Sequence, residues 1–331
     1  MSKASNVLVI ATRRSPDSLE IARYYAQKRG VPSENLCFID CVPQEEVPLA
    51  NYRDTIEKPV MAYLEQKKLA LKVDYLVLCR GVPIRIQEGG FSVDSALMSA
   101  PLGLPFLRGP ERFHQNPYYG STERFSRRRF GFYLATRLDG YTTSQIRRLV
   151  DNSLRAKPEK GVFLLDIDPK RSGGGYRAVN QSMRQAAQLL QQRGFEVILD
   201  EREDFMGVVR DIMGYYSWGS NDHQFNKMSY RSLQFRPGSI AETAVSTSAR
   251  TFRPTDKGQS LIADLIAQGV TGVKGYVSEP FTVALCRAHV MFDLYTRGRT
   301  IAESLWGASP FIMWKDLVVG DPLCAPYAKG T

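Results

Sequence analysis

Histidine is scarce in this sequence: its 331 residues include three. Any Ser–His or Cys–His mechanism therefore has few bases to draw on. The five cysteines, Cys37, Cys41, Cys79, Cys286 and Cys324, include no C-x-x-C pair. Their spacing excludes an ordinary zinc or disulfide framework. Cys37, Cys79 and Cys324 lie in apolar runs and read as small buried hydrophobes. Cys286 and His289 stand three apart, as on one helix face, where a packed thiol would be inert. No apolar run approaches the ~18 residues that cross a bilayer, so no membrane insertion is expected. The chain has no Walker A string, G-x-G-x-x-G or G-x-S-x-G elbow, and no cofactor is implied. It also has no internal repeat and no low-complexity segment.

What is present suits a globular protein, with 43% hydrophobic and 24% charged residues. The opening MSKASNVLVIATRRS has an apolar run of only about six residues, short of the roughly 7–15 of a signal peptide. It reads as a first strand, and the compartment is left open. The net charge of +10 permits an anionic partner. Much of the excess sits in Arg124–Arg129 (RFSRRR), with Arg108 and Arg112 nearby, and reads as a solvated loop. No RNP, zinc-finger or basic-zipper pattern supports nucleic acid, which is the poorest partner reading. A nucleic-acid complex would weaken steeply with salt.

Taken in order, residues 1–80 read β-α-β-α-β: NVLVIA, a helix after Pro16, NLCFIDC, a helix over 52–66 broken or kinked at Pro59, and YLVLC. That is the pattern of a parallel sheet with right-handed crossovers. Residues 87–128 show no sustained period and predict an irregular lid or excursion near the sheet edge. FGFYLAT returns as a strand, and Thr142 or Thr143 caps the helix that follows. GVFLLDID, a Gly173–Gly175 turn, a helix over 179–192 and FEVILD come next. An amphipathic run, Asp204–Met213, leads into GYYSWGSND. SIAETAVSTSAR ends in Ser246, Thr247 and Ser248, and VTGVKGYV ends at Ser278-Glu279-Pro280. Two helices, 282–296 and 300–306, lead to LVVGDPLCAPY. The expectation is an α/β protein with a doubly wound, mostly parallel sheet. It divides into two α/β lobes, 1–157 and 158–331.

Open α/β sheets carry their sites beyond the carboxyl ends of the strands. Those ends supply Arg80, Arg137, Asp139, Asp166, Asp168, Ser217, Ser220, Asn221, Asp222, Ser246, Ser248 and Glu279. Three chemistries fit these residue types. A Ser or Thr within 246–248 could act as nucleophile with His223 as base. Asp166 with Asp168, or Asp139 with Asp222, could hold a divalent cation, although such carboxylates also cap helices. Arg80, Arg137 and Arg250 could grip a carboxylate or phosphate, or serve as buried ion pairs.

The strings RGVPIRI, SVDSAL, NPYY, YLATRLDGYT, YYSWGSND, GSIAETAVSTSARTF, GVTGVKGYVSEPF and VVGDPLCAPY resemble an uncharacterised bacterial family. Its members occur with the exosortase protein-sorting system and often carry export signals. That family is distantly similar to the gingipain-type, caspase-like cysteine peptidases, which implies a caspase-like α/β fold. The peptidases carry Gly-His-Gly-Ser at one strand end and a cysteine at the next. Here Ser217-Trp218-Gly219-Ser220 matches the first string, so Trp218 replaces the base. The cysteine position falls within Ser246–Ser248, so the resemblance implies that the dyad is missing. Two functions follow. One is a pseudopeptidase that binds a peptide or glycan, with Trp218 as a stacking floor. Its ligand would meet Arg80, Asp94, Arg137, Asp139, Ser217, Trp218, Ser220, Asn221, Arg250 and Glu279. The other is a hydrolase or transferase rebuilt around Ser246 or Ser248 with His223 and Asp222.

Overall fold

The structure is a computed structural model and describes residues 3–106 and 113–328. Arg108 and Arg112 lie outside the described residues. Ten strands form one sheet: β1 (Val7–Thr12), β2 (Leu36–Ile39), β3 (Tyr75–Cys79), β4 (Leu134–Leu138), β5 (Val162–Asp166), β6 (Glu196–Asp200), β7 (Ile212–Ser217), β8 (Phe235–Thr243), β9 (Gly272–Tyr276) and β10 (Asp316–Gly320). Their order across the sheet is β2-β1-β3-β4-β10-β9-β8-β7-β5-β6. Neighbours β2, β1, β3 and β4 pair in parallel, as do β9, β8, β7, β5 and β6. The last strand, β10, runs antiparallel to β9 and meets β4 where Val319 faces Arg137. The fold is therefore α/β with a mostly parallel sheet.

The burial of each strand follows its place. Every residue of β1, β3 and β5 is buried, as continuous apolar runs between two helix layers should be. Edge strands β2 and β6 are only partly buried. Helix α1 (Pro16–Arg29) starts where the Ser15 hydroxyl accepts from the Ser18 amide, and ends at Gly30 with φ +69°. Both are ordinary stop and start devices. Pro59 has the consequence its chemistry requires. A π turn over Arg53–Glu57 precedes helix α2 (Lys58–Gln66), because proline offers no amide to the regular ladder.

Four sequence expectations are corrected. The 87–128 stretch contains a helix, α3 (Val93–Ser99), in which every residue is buried. It packs on β4 and β10, so this part of the excursion is core. Its apolar pattern was masked by Asp94, whose charge is neutralised by a distant arginine. The amphipathic run Asp204–Met213 forms no regular element before Ile212, where strand β7 begins. After helix α4 (Thr143–Arg155), helix α5 starts at Gly174, inside the glycine run, and continues to Gln192. Cys286 lies ahead of the helix Ala288–Thr296, so Cys286 and His289 do not share a helix face. The His289 ring bonds Ser182 at 3.0 Å instead. No described helix is long and apolar enough to cross a membrane.

The loops beyond the carboxyl ends of both sets of parallel strands meet on one side. The Arg85 guanidinium donates to the Val277 carbonyl at 2.8 Å. Glu45 accepts from the Thr251 hydroxyl and the Phe252 amide at 2.7 and 2.9 Å. Tyr141 donates to Asp264 at 3.0 Å. The sites offered by the two sets of strands therefore open on a common face.

Candidate functional site

Strands β7 and β8 are parallel neighbours with Ser217 opposite Thr243. That register places the Trp218 turn beside the 244–249 turn. The two tips are also bonded directly: Ala244 N donates to Ser217 O at 2.8 Å, and Asn221 Nδ2 to Ala244 O at 2.7 Å. The Gln259 side chain joins both tips. It donates to Asn221 Oδ1 at 2.9 Å and accepts from the Thr247 hydroxyl at 2.6 Å. A cleft of about 330 Å3 lies against these tips, lined among others by Arg171, Tyr176, Trp218, Ser246, Glu279 and Phe281.

Three of the sequence-derived residues besides Trp218 line this cleft, two of them, Ser246 and Glu279, with side chains still available. Ser246 is half-buried and lines it. Glu279 is exposed and accepts from the Phe281 amide at 2.9 Å. Asn221 lines it through the bonds given above. Trp218 also lines it, yet is 1% exposed. Its indole N–H donates to Asn180 at 2.7 Å. Tyr176 meets the indole edge-on at 5.6 Å, and the Arg171 guanidinium lies over the ring at 5.1 Å. The expected open stacking floor is therefore already covered by a cation and an aromatic ring.

The remaining candidates have other duties. Ser248 is fully buried, and its hydroxyl accepts from the Tyr276 amide at 3.2 Å; it faces the sheet rather than the cleft. His223 is held by Asp168, Nδ1 to Oδ2 at 2.5 Å. Neither His223 nor Asp222 lines the cleft, so His223 does not stand as a base beside Ser246. Asp222 accepts from the Gln224 amide at 2.7 Å as a local cap. Ser217 accepts from the Gly219 amide, and Ser220 exchanges bonds with Ser260. Arg250 spends its donors on the carbonyls of Thr247, Gln259 and Lys257. Arg137 is fully buried between Asp94 and Asp139, and is an ion pair of the interior. Arg80 and Asp139 line a second, smaller cleft of about 140 Å3 with Glu45 and Arg253. Arg80 there donates to the Gly140 carbonyl at 2.7 Å. Among the described residues no cluster of three metal-ligating side chains forms. Asp166 and Asp168 diverge in role: Asp168 binds His223, while buried Asp166 has an unpartnered oxygen.

Sequence reasoning missed Arg171, Tyr176, Gln259 and Phe281. One signal was present: the glycine run beside Arg171. A Cβ on Gly175 would fall 2.1 Å from Thr282 Oγ1. The glycine thus lets the start of α5 approach the 280–284 loop and close one wall. Phe281 on that loop has φ 64° and ψ 150°, a region that costs a side-chain-bearing residue on the order of 1–3 kcal/mol. Replacing Gly175 with Ala should destabilise the protein by about 2 kcal/mol in urea unfolding, through overpacking. Helix propensity alone would give a modest gain instead. A stabilised Gly175→Ala variant would show that this wall is not tightly closed.

All five cysteines are buried. Burial pushes the Cys37 thiol up to about 12 and Cys41 to about 11, and raises Cys79, Cys286 and Cys324 as well. None is a thiolate at neutral pH. No protein-family model matches the chain, and no curated protein does. Solved structures do. The chain is similar to one in the complex of Porphyromonas gingivalis RgpB pro- and mature domains, with a TM-score of 0.57 and 11% identity over 97% of this chain and 79% of that one. It is similar also to a structure described as a protease, with a TM-score of 0.56 and 13% identity over 98% of this chain and 79% of that one. The fold of this chain is therefore peptidase-like.

Proposed function

We propose that this chain is a pseudopeptidase, a binding or scaffold protein on a gingipain-like fold, and that it holds an extended peptide or glycan in the cleft beside Trp218. It works as two α/β lobes, 1–157 and 158–331, whose strands share one sheet. One observation carries the reading. At the strand end where the resembling peptidases carry their base, Trp218 is locked to Asn180 and covered by Arg171 and Tyr176. Nothing at that position can take a proton from a nucleophile. A peptidase-like fold by itself does not transfer activity.

The ligand would meet the exposed faces of Tyr176 and Phe281, which are 42% and 39% accessible, with Arg171 and Glu279 as charges of opposite sign. Arg171 already donates to the Asn221 carbonyl at 2.6 Å and lies 3.6 Å from Asp168, so its geometry is set in advance. Preorganised groups of this kind reduce the cost of binding. Screening of peptide and glycan arrays should yield a ligand that raises the melting temperature. At a hundred times its dissociation constant it would add about 2.7 kcal/mol. Tyr176→Ala, which removes a wall without opening the core, should abolish that rise.

Ser246 keeps a second reading alive, because it lines the same cleft as Glu279. A fluorophosphonate probe separates the two. The binding reading predicts no labelling. Labelling that disappears in Ser246→Ala would establish a rebuilt hydrolase or transferase instead.

A further inference from the structure

Strand β1 leads through α1 to β2 on one side, and its other neighbour, β3, leads to β4 on the opposite side. Open α/β sheets bind small molecules in the crevice beyond strand ends whose connections part in this way. Here that crevice is the cleft of about 140 Å3 that holds Arg80 and Asp139. Gly81 shapes it. Its φ is +95°, and a Cβ there would stand 3.1 Å from Ser15 Cβ and 3.2 Å from Thr12 Cγ2. The turns after β1 and β3 therefore approach this closely only because the residue lacks a side chain. Phe252 and Arg253, from the second half of the chain, complete the wall.

The charged groups here are held short of contact. Arg253 Nε stands 4.0 Å from Glu45 Oε2, and Arg80 Nε stands 3.8 Å from Asp17 Oδ2. Both distances exceed a hydrogen bond. The interior pairs are closed by comparison: Arg137 meets Asp94 at 2.7 Å, and Lys274 meets Asp316 at 2.9 Å. Position is nevertheless fixed. Arg80 Nη1 donates to the Gly140 carbonyl at 2.7 Å, which orients the fork and leaves Nη2 for another acceptor. Glu45 Oε1 accepts from Thr251 and Phe252, which leaves Oε2 on the side of Arg253. Asp139 is committed to Arg137 and the Gly140 amide, so Glu45 is the available carboxylate of the cleft. Val82, Ile84 and Phe252 also line it and are at most 3% exposed. They form an apolar floor beneath opposite charges.

We propose that this cleft binds a free α-amino acid with an aliphatic side chain, at a site separate from the Trp218 cleft and independent of the reading given for it. The ligand carboxylate takes the Arg80 fork. Its ammonium takes Glu45 Oε2, and its hydrocarbon covers the apolar floor. A plain anion such as phosphate fits less well, because the Glu45 carboxylate would oppose it. The volume suits a molecule of this size, since drug-sized ligands occupy roughly 300–1,000 Å3.

Calorimetric titration of the full chain with L-leucine at neutral pH should give a dissociation constant of about 1 mM or tighter. Isocaproate keeps the carboxylate and the hydrocarbon without the ammonium. Isoamylamine keeps the ammonium and the hydrocarbon without the carboxylate. Each should bind at least tenfold more weakly than leucine. Glu45→Gln retains an acceptor for Thr251 and Phe252 but loses the charge, and Arg80→Lys retains a cation but loses the fork. Each should weaken leucine binding at least tenfold. Comparing the three ligands needs no variant, so it stands even where a variant folds poorly. No binding of leucine at millimolar concentration would overturn the proposal. So would either fragment binding as tightly as leucine, or leucine binding equally well to the parent and to either variant.

Discussion

Arg137→Leu is expected to cost about 3–5 kcal/mol of folding stability and to leave little soluble protein. The guanidinium is entirely enclosed. Its Nε and Nη2 contact the Asp94 carboxylate at 2.7–3.2 Å, and Nη1 reaches Asp139 at 3.1 Å. The remaining donors go to the carbonyls of Val82 and Pro83 at 3.3 and 3.0 Å. Leucine would strand two buried carboxylates and two carbonyls. The cost comes from those unpaired groups, so removing them together should recover most of it: Asp94→Leu/Arg137→Leu/Asp139→Asn should lie well above the single variant. Arg137→Lys should also fall short, because an ammonium cannot match the planar fork. Urea unfolding of the series decides the matter, and a single leucine variant within about 1 kcal/mol of the parent would show that the network is not needed. The pair also explains why α3 is docked: Asp94 is its first-turn residue, and Arg137 belongs to β4.

Stability should fall as pH rises from 5 to 8. Glu242 is fully buried, faces Lys274 across the sheet, and neither carboxylate oxygen has a hydrogen-bond partner. Lys274 is engaged by Asp316, so one cation serves two carboxylates. Burial pushes Glu242 up to about 8, against the pull of Lys274. Burial, with Asp222 and Asp200 nearby, does the same to Asp166, also to about 8. In the unfolded chain both groups release their protons near pH 4. The folded protein therefore holds more protons than the unfolded one between about pH 4 and 8. That stabilisation is complete below the unfolded value and is lost as pH climbs through the folded one. A tenfold change in proton affinity is worth about 1.4 kcal/mol, so each group withdraws up to roughly 3 kcal/mol between pH 5 and 8. His289, lowered by burial and by Arg287, acts in the opposite sense, but only below about pH 6.5.

Glu242→Gln removes one titration and leaves Lys274 and Asp316 as a balanced pair. It should raise stability at pH 8 by about 2 kcal/mol, change it little at pH 5, and flatten the slope by about half. Urea unfolding at four pH values between 5 and 8 provides the measurement. An unchanged slope in the glutamine variant would mean that Glu242 is ionised in the folded protein throughout.

These two networks mark where reading the chain alone stops. Arg137 was legible as a strand-end cation, and its residue type fits a ligand grip as well as an ion pair. Only the location of Asp94, 43 residues away in sequence, decides between them. Trp218 was legible as an aromatic at a strand end, but its cover comes from Arg171 and Tyr176 on another connection. His223 likewise looked like the nearest base to Ser246, and its partner proved to be Asp168. Lys274 and Glu242 both sit in strands that read as ordinary core, and their burial was not foreseen.

The strands, their order of appearance and the side of the sheet that carries the clefts follow from local pattern. Buried parallel strands must be continuously apolar, and their carboxyl ends must turn polar where the chain leaves the interior. Those constraints act over a few residues, so a sequence displays them. Which polar ends are spent on one another and which stay open to a ligand depends on register and crossover, with partners tens to hundreds of residues apart. A charge is neutralised by whatever group packing brings within a few ångströms of it, and that distance exists only once the ten strands have taken their places.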